Sequence, residues 1–405
     1  MLSSLPLTFS SSHTSESICD TSFPSHYQGR VCVATSENPL PLECGDQLEE
    51  VWIQYETWGT LSPTKDNVVL ICHALTGDAH VCQREPDAPE GWWGTWQDGT
   101  IGPGGVIDTQ RWFVVCSNVL GSCYGSTGPT SVNTRTGEVY QMNFPVITIP
   151  DMVRCQRRLL RMLGLTHIAC VMGASLGGCQ TLQWATHDPL ETPENNAVFS
   201  IEKLVVIASG ARLSPMALGL NAVGRQAVQL DPAWQGGFYP IGEGPESGLS
   251  IARQLGHLSF LCPLSLERKT GRRFQNPFQA KPNYHFGIEF ALESYLAHQG
   301  RKFTQRFDAN SYLYLTRAID YFDVEDDLRL IHQTPNLHSL HVLSYDSDWL
   351  FPPEESHHLA ANVLHSLPEH AKLQVRHQTL HSSIGHDAFL LEREGLHQFL
   401  RDCFE

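Results

Sequence analysis

The sequence predicts an α/β fold in which helices flank a mostly parallel sheet. Short apolar runs rich in valine and isoleucine recur along the chain, and unbroken runs of this kind are typical of strands covered on both faces. Helical patterns separate several of the runs, and such alternation produces parallel strands joined by right-handed crossovers. The runs lie at 67–75, 112–120, 167–173, 204–210, 340–348 and 373–380.

A helical pattern at 151–164 precedes the third of these runs. Its apolar residues, among them Met152, Leu159 and Leu160, recur at helical spacing. Gly164 follows the last of them. Because glycine readily adopts the left-handed conformation found after many helices, we predict that the helix ends there.

From about 211 to 321 the alternation stops, and helical patterns occur without a convincing buried strand. Joints rich in glycine and proline, such as QGGFYPIGEGPESG, separate these patterns. We therefore predict a loosely ordered N-terminal leader at 1–45, an α/β core formed by 46–210 and 330–405, and an inserted helical cap at 211–329. The helical patterns of the cap are PMALGLNAVGRQAVQ, GLSIARQLGHLSFL, GIEFALESYLAHQG and NSYLYLTRAIDYF.

The composition is that of a globular protein. Of the 405 residues, 41% are hydrophobic and 17% charged, which is enough apolar material for a full core. The net charge of −16 argues against binding to nucleic acid or to a membrane surface, since both need a positive field. Neither a membrane-length apolar run nor a secretory signal pattern occurs, so we predict a cytoplasmic protein.

Disulfide and metal chemistry are not expected from the sequence. The twelve cysteines are spread along the chain without a CxxC pair, and several lie in apolar runs, where free cysteine behaves as a small hydrophobic residue. The twenty histidines form no HExxH motif and no Cys/His quartet at ligand spacing. We predict reduced, structural cysteines and no metal or prosthetic group.

The segment CVMGASLGGCQTLQWA, residues 170–185, places a G-x-S-x-G motif between a strand-like run and a helical pattern. This context is typical of a nucleophile elbow, a tight turn that exposes its serine at the carboxyl edge of a sheet. Gly173 and Gly177 would let the backbone pass close to Ser175. The N–H of Leu176, at the helix N-terminus, would then point at an oxyanion. The alternative is a tight turn with an incidental serine.

A serine nucleophile needs a base and an acid, and in α/β-hydrolases they follow in the order Ser, Asp or Glu, His. Asp346 and Asp348 lie at the end of a strand-like run, where the acid is expected. His381 and His386 lie before a helical C-terminal segment, where the base is expected. Spacing does not choose within either pair, and a turn aspartate or a strand-end histidine is the alternative for each.

Eight stretches in the same order resemble the homoserine O-acetyltransferases of the α/β-hydrolase type, from about Glu50 to Leu400. They are CHALTGDAHV, GTIGPGGVIDTQRWFVVCSNVLGSCYGSTGPTS, FPVITIPDMVRCQ, GASLGGCQTLQWA, GLSIARQLGHLSFL, ESYLAHQGRKFTQRFDANSYLYLTRAIDYFD, SDWLFPP and GHDAFL. The resemblance implies an α/β-hydrolase fold with a cap. It also implies transfer of an acetyl group from acetyl-CoA to L-homoserine through a serine acyl-enzyme, a step of methionine biosynthesis.

The family's motifs assign roles to five residues of the core. By this resemblance Ser175 is the nucleophile, Asp348 the acid and His386 the base. The backbone N–H groups of Leu75 and Leu176 form the oxyanion hole.

The resemblance also places Arg253 and Asp387 around the amino-acid substrate. A planar cation suits the substrate carboxylate and an anion suits its ammonium group. The alternatives are a solvated helix-face charge for Arg253 and an N-cap for Asp387. Acetyl-CoA is a substrate here, and its phosphates would need local positive charge from 267–273 or 154–161, unless these segments are solvated helix faces.

The acyl donor and acceptor stay open at this stage. Many relatives carry SMGGMQ where this chain has SLGGCQ, which changes the pocket wall, and succinyl-CoA or serine are alternative substrates. An esterase or other hydrolase would use the same triad, and a non-catalytic binding protein is a third class, although such chains usually lose a triad member. The family commonly forms homodimers through cap helices, which we expect here as well.

Overall fold

The computed structural model describes residues 26–404 except 84, 86, 95–98 and 191–198. Its centre is an eight-stranded sheet in the described part of the chain. The strands are β1 His26–Ala34, β2 Val51–Trp58, β3 Val68–Cys72, β4 Phe113–Ser117, β5 Cys170–Ala174, β6 Lys203–Ile207, β7 Ser339–Tyr345 and β8 Gln374–Leu380. Their spatial order is β1-β2-β4-β3-β5-β6-β7-β8. Only the pairings of β2 are antiparallel within this sheet, so the predicted mostly parallel sheet is confirmed.

The helices are α1 Ile149–Met162, α2 Leu176–Gln183, α3 Pro215–Gln229, α4 Glu246–Phe260, α5 Pro263–Lys269, α6 Ala291–Thr304, α7 Ala309–Asp320, α8 Pro353–Ser366, α9 Ala388–Leu391 and α10 Arg393–Phe404. Short 3₁₀ helices span Gln141–Asn143, Pro232–Gly237 and Asp327–Gln333. Short strand pairs join Leu40–Pro41 to Gln47–Leu48, Ile101–Gly102 to Ile107–Asp108, and His167–Ile168 to Ser200–Ile201. Helices α3 to α7 lie between β6 and β7, in the segment predicted to form a cap. The boundaries of that cap stay a prediction.

Both faces of the inner strands β3 to β7 are covered, as their apolar runs predict. The same prediction is wrong for the run at 373–380, because β8 is an edge strand with exposed or half-buried side chains. In β3, Val68, Leu70 and Cys72 belong to one hydrophobic cluster, while Val69 and Ile71 belong to a second cluster on the opposite face. All five side chains are completely buried. Because successive side chains of a strand point to opposite faces, only a strand with helices on both sides tolerates such a run.

Several predicted runs extend past the strands that they contain. The run at 67–75 continues beyond β3, which ends at Cys72, and the run at 340–348 continues beyond β7, which ends at Tyr345. Beyond these strand ends His73 and Asp348 are buried whereas Asp346 is exposed, and none of the three belongs to a strand. The extra residues therefore form the loops at the carboxyl edge of the sheet, where ligands bind in open α/β folds.

The predicted leader at 1–45 is wrong for its second half. β1 pairs with β2 from His26 opposite Trp58 to Ala34 opposite Val51, so residues 26–34 belong to the sheet. β1 is an edge strand with exposed polar side chains, and this composition hid it in the sequence. Residues 1–25 of the predicted leader lie outside the described residues.

Three features of the described residues concern membrane, disulfide and metal chemistry. No helix there is both long and apolar enough to cross a bilayer. The cysteines of the described part are free of disulfide bonds. Within the same part, no group of three His, Cys, Asp or Glu side chains is arranged to hold a metal ion.

Candidate active site

Ser175 occupies a strained turn between β5 and α2. Its backbone angles are φ 56° and ψ −122°, a region that residues other than glycine rarely adopt. A Cβ at Gly177 would lie 2.0 Å from the carbonyl oxygen of Cys72, and a Cβ at Gly173 would lie 2.4 Å from that of Gly177. Both motif glycines are therefore required, because the turn presses backbone against backbone.

Hydrogen bonds hold the main chain of Ser175 in this conformation. Its N–H donates to the carbonyl of Ile207 at 3.0 Å. Its own carbonyl accepts the N–H of Gly178 at 2.9 Å and the hydroxyl of Ser209 at 3.0 Å. The side-chain hydroxyl of Ser175 makes no hydrogen bond in the described part of the chain. The surroundings therefore fix the backbone and leave the hydroxyl free.

A buried aspartate orients the imidazole of His386. Its Nδ1 lies 2.7 Å from Oδ2 of Asp348, and both side chains are at most 4% exposed. Because a carboxylate can only accept, Nδ1 donates and Nε2 is left to take a proton. The other oxygen of Asp348 accepts the N–H groups of Leu350 and Phe351, each at 2.9 Å. Ser175 and His386 line the same cavity.

The competing candidates form a second Asp–His pair. His381 Nδ1 lies 2.6 Å from Asp346 Oδ2, and the side chain of His381 is 90% exposed. Neither residue lines the cavity that contains Ser175. An exposed pair of this kind contributes little to stability. Asp348 thus pairs with His386 and Asp346 with His381, and of the two histidines only His386 lines the cavity that contains Ser175.

Two backbone N–H groups are free beside the serine. Leu75 follows β3 in the loop at the carboxyl edge, and Leu176 is the first residue of α2. Both line the cavity, and in the described residues neither N–H has an acceptor. The N-terminus of α2 adds a partial positive charge on the same side. The predicted pair of oxyanion donors is therefore available to a bound carbonyl oxygen.

Three phenyl rings surround His386. The ring centroids of Phe351, Phe389 and Phe260 lie 5.5, 5.7 and 6.1 Å from that of the imidazole. This apolar cage would by itself lower the pKa of His386, but the Asp348 carboxylate outweighs burial and raises the pKa. The sequence reasoning missed the cage, although Phe351 and Phe389 each follow a triad residue by three positions.

Arg253 reaches the cavity from α4. Its guanidinium lies over the rings of Phe303 at 4.8 Å and Phe260 at 5.5 Å, and Nη1 lies 3.5 Å from the hydroxyl of Thr76. Burial and the neighbouring Arg306 lower the pKa of Arg253 to about 10, so it stays charged at neutral pH. The alternative of a solvated helix-face charge does not fit this position.

Asp387 is a second charged side chain that lines the cavity, besides Arg253. It occupies the N-cap position of α9, but its side chain makes no capping hydrogen bond. Burial raises the pKa of Asp387, while His386 and Arg253 oppose the shift. No ion pair joins Asp387 to Arg253 within the described residues. A cation and an anion thus line one cavity, each without an ionic partner, and a zwitterion would satisfy both.

The two basic segments considered for coenzyme phosphates differ in position. Arg154, in the segment 154–161, is buried and donates to both oxygens of Asp188 at 2.8 Å and to Asp151 at 2.7 Å. It is neither a solvated face nor free for a ligand. In 267–273, Arg268 donates to the hydroxyl of Ser383 at 2.6 Å, on the loop that leads to the catalytic histidine candidate. Only this second segment lies near the cavity.

The departure from the SMGGMQ pattern changes one wall of the cavity. Leu176 lines it, so its side chain can contact a ligand. Cys179 is completely buried, with Sγ 3.5 Å from the hydroxyl of Ser209, and does not line the cavity. Only the first of the two changed positions therefore bears on substrate choice.

The strand order, the elbow and the buried His–Asp pair define an α/β-hydrolase. A sequence model of the alpha/beta hydrolase fold family matches residues 67–385. A homoserine O-acetyltransferase of Mesorhizobium japonicum is 44% identical over 366 residues, which cover 89% of each chain. This chain belongs to the homoserine O-acetyltransferase family, as the sequence resemblance predicts.

Solved structures share this fold over nearly the whole chain. A homoserine O-acetyltransferase from Bacillus anthracis matches with a TM-score of 0.80 and 25% identity, covering 94% of this chain and 98% of that one. The esterase E22 matches with a TM-score of 0.79 and 24% identity, covering 94% and 100%. The fold alone therefore does not separate acyl transfer from ester hydrolysis.

Proposed function

We propose that this protein transfers the acetyl group of acetyl-CoA to the hydroxyl of L-homoserine, a step of methionine biosynthesis. The observation that carries the proposal is the content of one cavity. Ser175 and His386, which Asp348 orients, line it together with Arg253 and Asp387, two opposite charges that suit the ends of an amino acid. The family to which the chain belongs supports the same acceptor.

The first step acylates the enzyme. Ser175 Oγ attacks the thioester carbonyl carbon while His386 Nε2 takes its proton. The N–H groups of Leu75 and Leu176 bind the oxyanion of the tetrahedral intermediate. The intermediate collapses, the carbon–sulfur bond breaks, and the thiolate of CoA takes the proton from His386 as it leaves.

The second step transfers the acetyl group to the acceptor. Arg253 binds the carboxylate of homoserine and Asp387 its ammonium group, which places the γ-hydroxyl at the acyl-enzyme. His386 removes the hydroxyl proton, the oxygen attacks the ester carbonyl, and Ser175 Oγ leaves and regains the proton. The product is O-acetylhomoserine, and ping-pong kinetics are expected.

Transfer prevails over hydrolysis only where the acceptor outcompetes water. Helices α3, α4, α6 and α7 each contribute residues to the cavity wall, among them Ala217, Ala252, Phe303 and Tyr312. This cover restricts water, and the paired charges hold the acceptor at a high effective concentration. No metal or prosthetic group takes part in the proposed reaction.

The decisive experiment crosses acetyl-CoA and succinyl-CoA with homoserine and serine and measures thiol release. We expect continuous release, beyond the one thiol per enzyme that acylation produces, only with acetyl-CoA and homoserine together. Release that does not depend on the acceptor would support a hydrolase. Release with succinyl-CoA or with serine would replace the donor or the acceptor in this proposal.

Replacing Arg253 by Lys should weaken the binding of homoserine and leave the reaction with acetyl-CoA unchanged. Lysine keeps a positive charge but loses the planar fork that binds a carboxylate through two hydrogen bonds. We expect the KM for homoserine to rise by roughly 10-fold or more, the effect of one charged hydrogen bond. The rate of acylation by acetyl-CoA should stay unchanged. Arg329→Lys, at an exposed position paired with Asp326, is the control.

The acylation rate should fall as the pH decreases. His386 acts only when Nε2 is unprotonated, and the Asp348 carboxylate raises its pKa. The midpoint of the acid limb should therefore lie above about 6.5, the ordinary value for histidine. Rapid-quench acylation with acetyl-CoA across pH measures it. A midpoint at or below the ordinary value would contradict a pKa of His386 that the Asp348 carboxylate raises.

We also propose a cytoplasmic homodimer that assembles through cap helices. Apolar side chains of α3 and α4 are exposed, namely Met216, Val223 and Ile251. Burying them in an interface would remove apolar surface from water. Light scattering of the full-length protein measures the assembly, and a monomer at all concentrations would exclude it.

A further inference from the structure

A buried histidine comes directly before the loop that carries Ala74 and Leu75. His73 follows β3 directly and is 1% exposed. Its Nε2 accepts the backbone N–H of Val119 at 3.2 Å, and its Nδ1 lies 2.8 Å from the carbonyl oxygen of Ala74. Because a backbone N–H can only donate, Nε2 carries no proton. The proton of the neutral ring is therefore on Nδ1, which donates to the carbonyl of Ala74. Burial lowers the pKa of His73 and favours this neutral form.

The carbonyl of Ala74 and the N–H of Leu75 belong to one peptide unit. A peptide unit is planar, with its C=O and N–H pointing in opposite directions, so a donor that holds the oxygen also fixes the direction of the N–H. Gly77 donates its N–H to the same oxygen at 2.9 Å. Two donors on the oxygen also polarise the unit and make the N–H more positive. Together they aim and strengthen the N–H of Leu75.

The same histidine is tied to the helix behind the nucleophile. The carbonyl oxygen of His73 accepts the side-chain amide of Gln180 at 3.2 Å. Gln180 lies on α2, whose first turn carries the second oxyanion donor. A Cβ at Gly177, in the same turn, would lie 3.3 Å from that carbonyl oxygen. His73 therefore links the loop of Leu75 to the helix of Leu176.

We propose that His73 is a positioning residue of the oxyanion hole, which acts through the Ala74–Leu75 peptide. It does not line the cavity and touches no substrate. Its ring holds the first oxyanion donor in direction and distance relative to the second. The inference rests on the proposed function only in taking the N–H of Leu75 as an oxyanion donor.

Two matched substitutions separate this role from packing. In His73→Asn the side-chain amide nitrogen takes the place of Nδ1. This variant therefore keeps a donor for the carbonyl of Ala74 and loses the acceptor for the N–H of Val119. The longer His73→Gln variant places its amide oxygen near the position of Nε2, so it keeps that acceptor and loses the donor for Ala74. Each variant retains one of the two side-chain hydrogen bonds.

The test is the burst of acylation by p-nitrophenyl acetate. We expect His73→Gln to slow acylation by roughly 10-fold or more, less than the 100- to 1,000-fold cost of deleting an oxyanion donor. His73→Asn should stay close to the wild-type rate. A methylboronic acid forms a tetrahedral adduct on a serine, and its affinity should weaken in parallel in the Gln variant. Binding of homoserine, measured by calorimetry, should not change.

Equal acylation rates in the two variants would overturn the proposal, as would loss of boronic acid and homoserine affinity together. If His73→Gln does not fold, the test depends on His73→Asn alone. A folded His73→Asn that acylates 10-fold more slowly than wild type overturns the proposal, and a wild-type rate supports it. The ester contains no CoA and needs no acceptor. A wild type that the ester acylates but that does not acetylate homoserine refutes the proposed function and leaves this inference standing.

Discussion

Replacing Asp348 by Asn is expected to lower kcat by about 10⁴-fold, the loss seen when a triad aspartate becomes an amide. The carboxylate accepts the proton of His386 Nδ1, which leaves Nε2 free as the base. An amide can turn its NH₂ toward Nδ1 instead. The histidine then carries its proton on Nε2 and cannot take one from Ser175.

The matched control for this change is Asp346→Asn. Asp346 makes the same kind of contact with His381, at 2.6 Å instead of 2.7 Å, but that pair is exposed and outside the cavity. We expect kcat within about twofold of wild type, because exposed ion pairs contribute little. Steady-state kinetics measures both variants, and thermal unfolding confirms that both are folded. A large loss of kcat in Asp346→Asn and none in Asp348→Asn would assign the role of the triad acid to Asp346 instead of Asp348.

Replacing Ser175 by Ala should abolish the acyl-enzyme. We expect kcat to fall by about 10⁴-fold or more, as for other serine nucleophiles, and the acylation burst to disappear. The thermal midpoint should hardly change, because the hydroxyl of Ser175 makes no hydrogen bond in the described residues and its removal leaves no partner unsatisfied. Mass spectrometry after incubation with acetyl-CoA measures the acetyl adduct directly.

Ser366→Ala is the control for this substitution, because its hydroxyl bonds only to the carbonyl of Val363 near the end of α8. It should acetylate homoserine at the normal rate. An acetyl adduct that persists in Ser175→Ala, or normal turnover in that variant, would remove Ser175 from the mechanism. Loss of the adduct with normal binding of homoserine would support the assignment.

The elbow is a feature that local sequence determines. Strand, G-x-S-x-G and helix follow one another within 170–185, and the clash that requires Gly173 arises within this turn. The clash that requires Gly177 arises from Cys72, at the end of β3. The alternation of apolar runs and helical patterns likewise determines the parallel sheet, since the runs of the inner strands β3 to β7 require burial on both faces. These predictions needed little knowledge of distant contacts.

The choice within the acid and base candidates depended on the register of two strands. β7 and β8 are parallel, with Tyr345 opposite Leu380, so the next residues, Asp346 and His381, meet at the sheet edge. The loops that continue from there bring Asp348 into contact with His386, whose ring is surrounded by the three phenyl rings. No spacing in the sequence states which residues of two strands lie opposite each other. The family resemblance indicated the pair, and the geometry now gives the reason.

By itself, then, the sequence determined strands β3 to β8, the serine turn and the family, whereas β1 and β2 were missed. Only the tertiary structure decided that β1 completes the sheet, that Arg154 forms buried ion pairs, and that the ring of His73 contacts the carbonyl of Ala74. The physical reason is the range of the interactions. Turn geometry and apolar periodicity act between near neighbours in the chain, whereas burial, ion pairing and the tautomer of a histidine depend on groups that folding brings from far away.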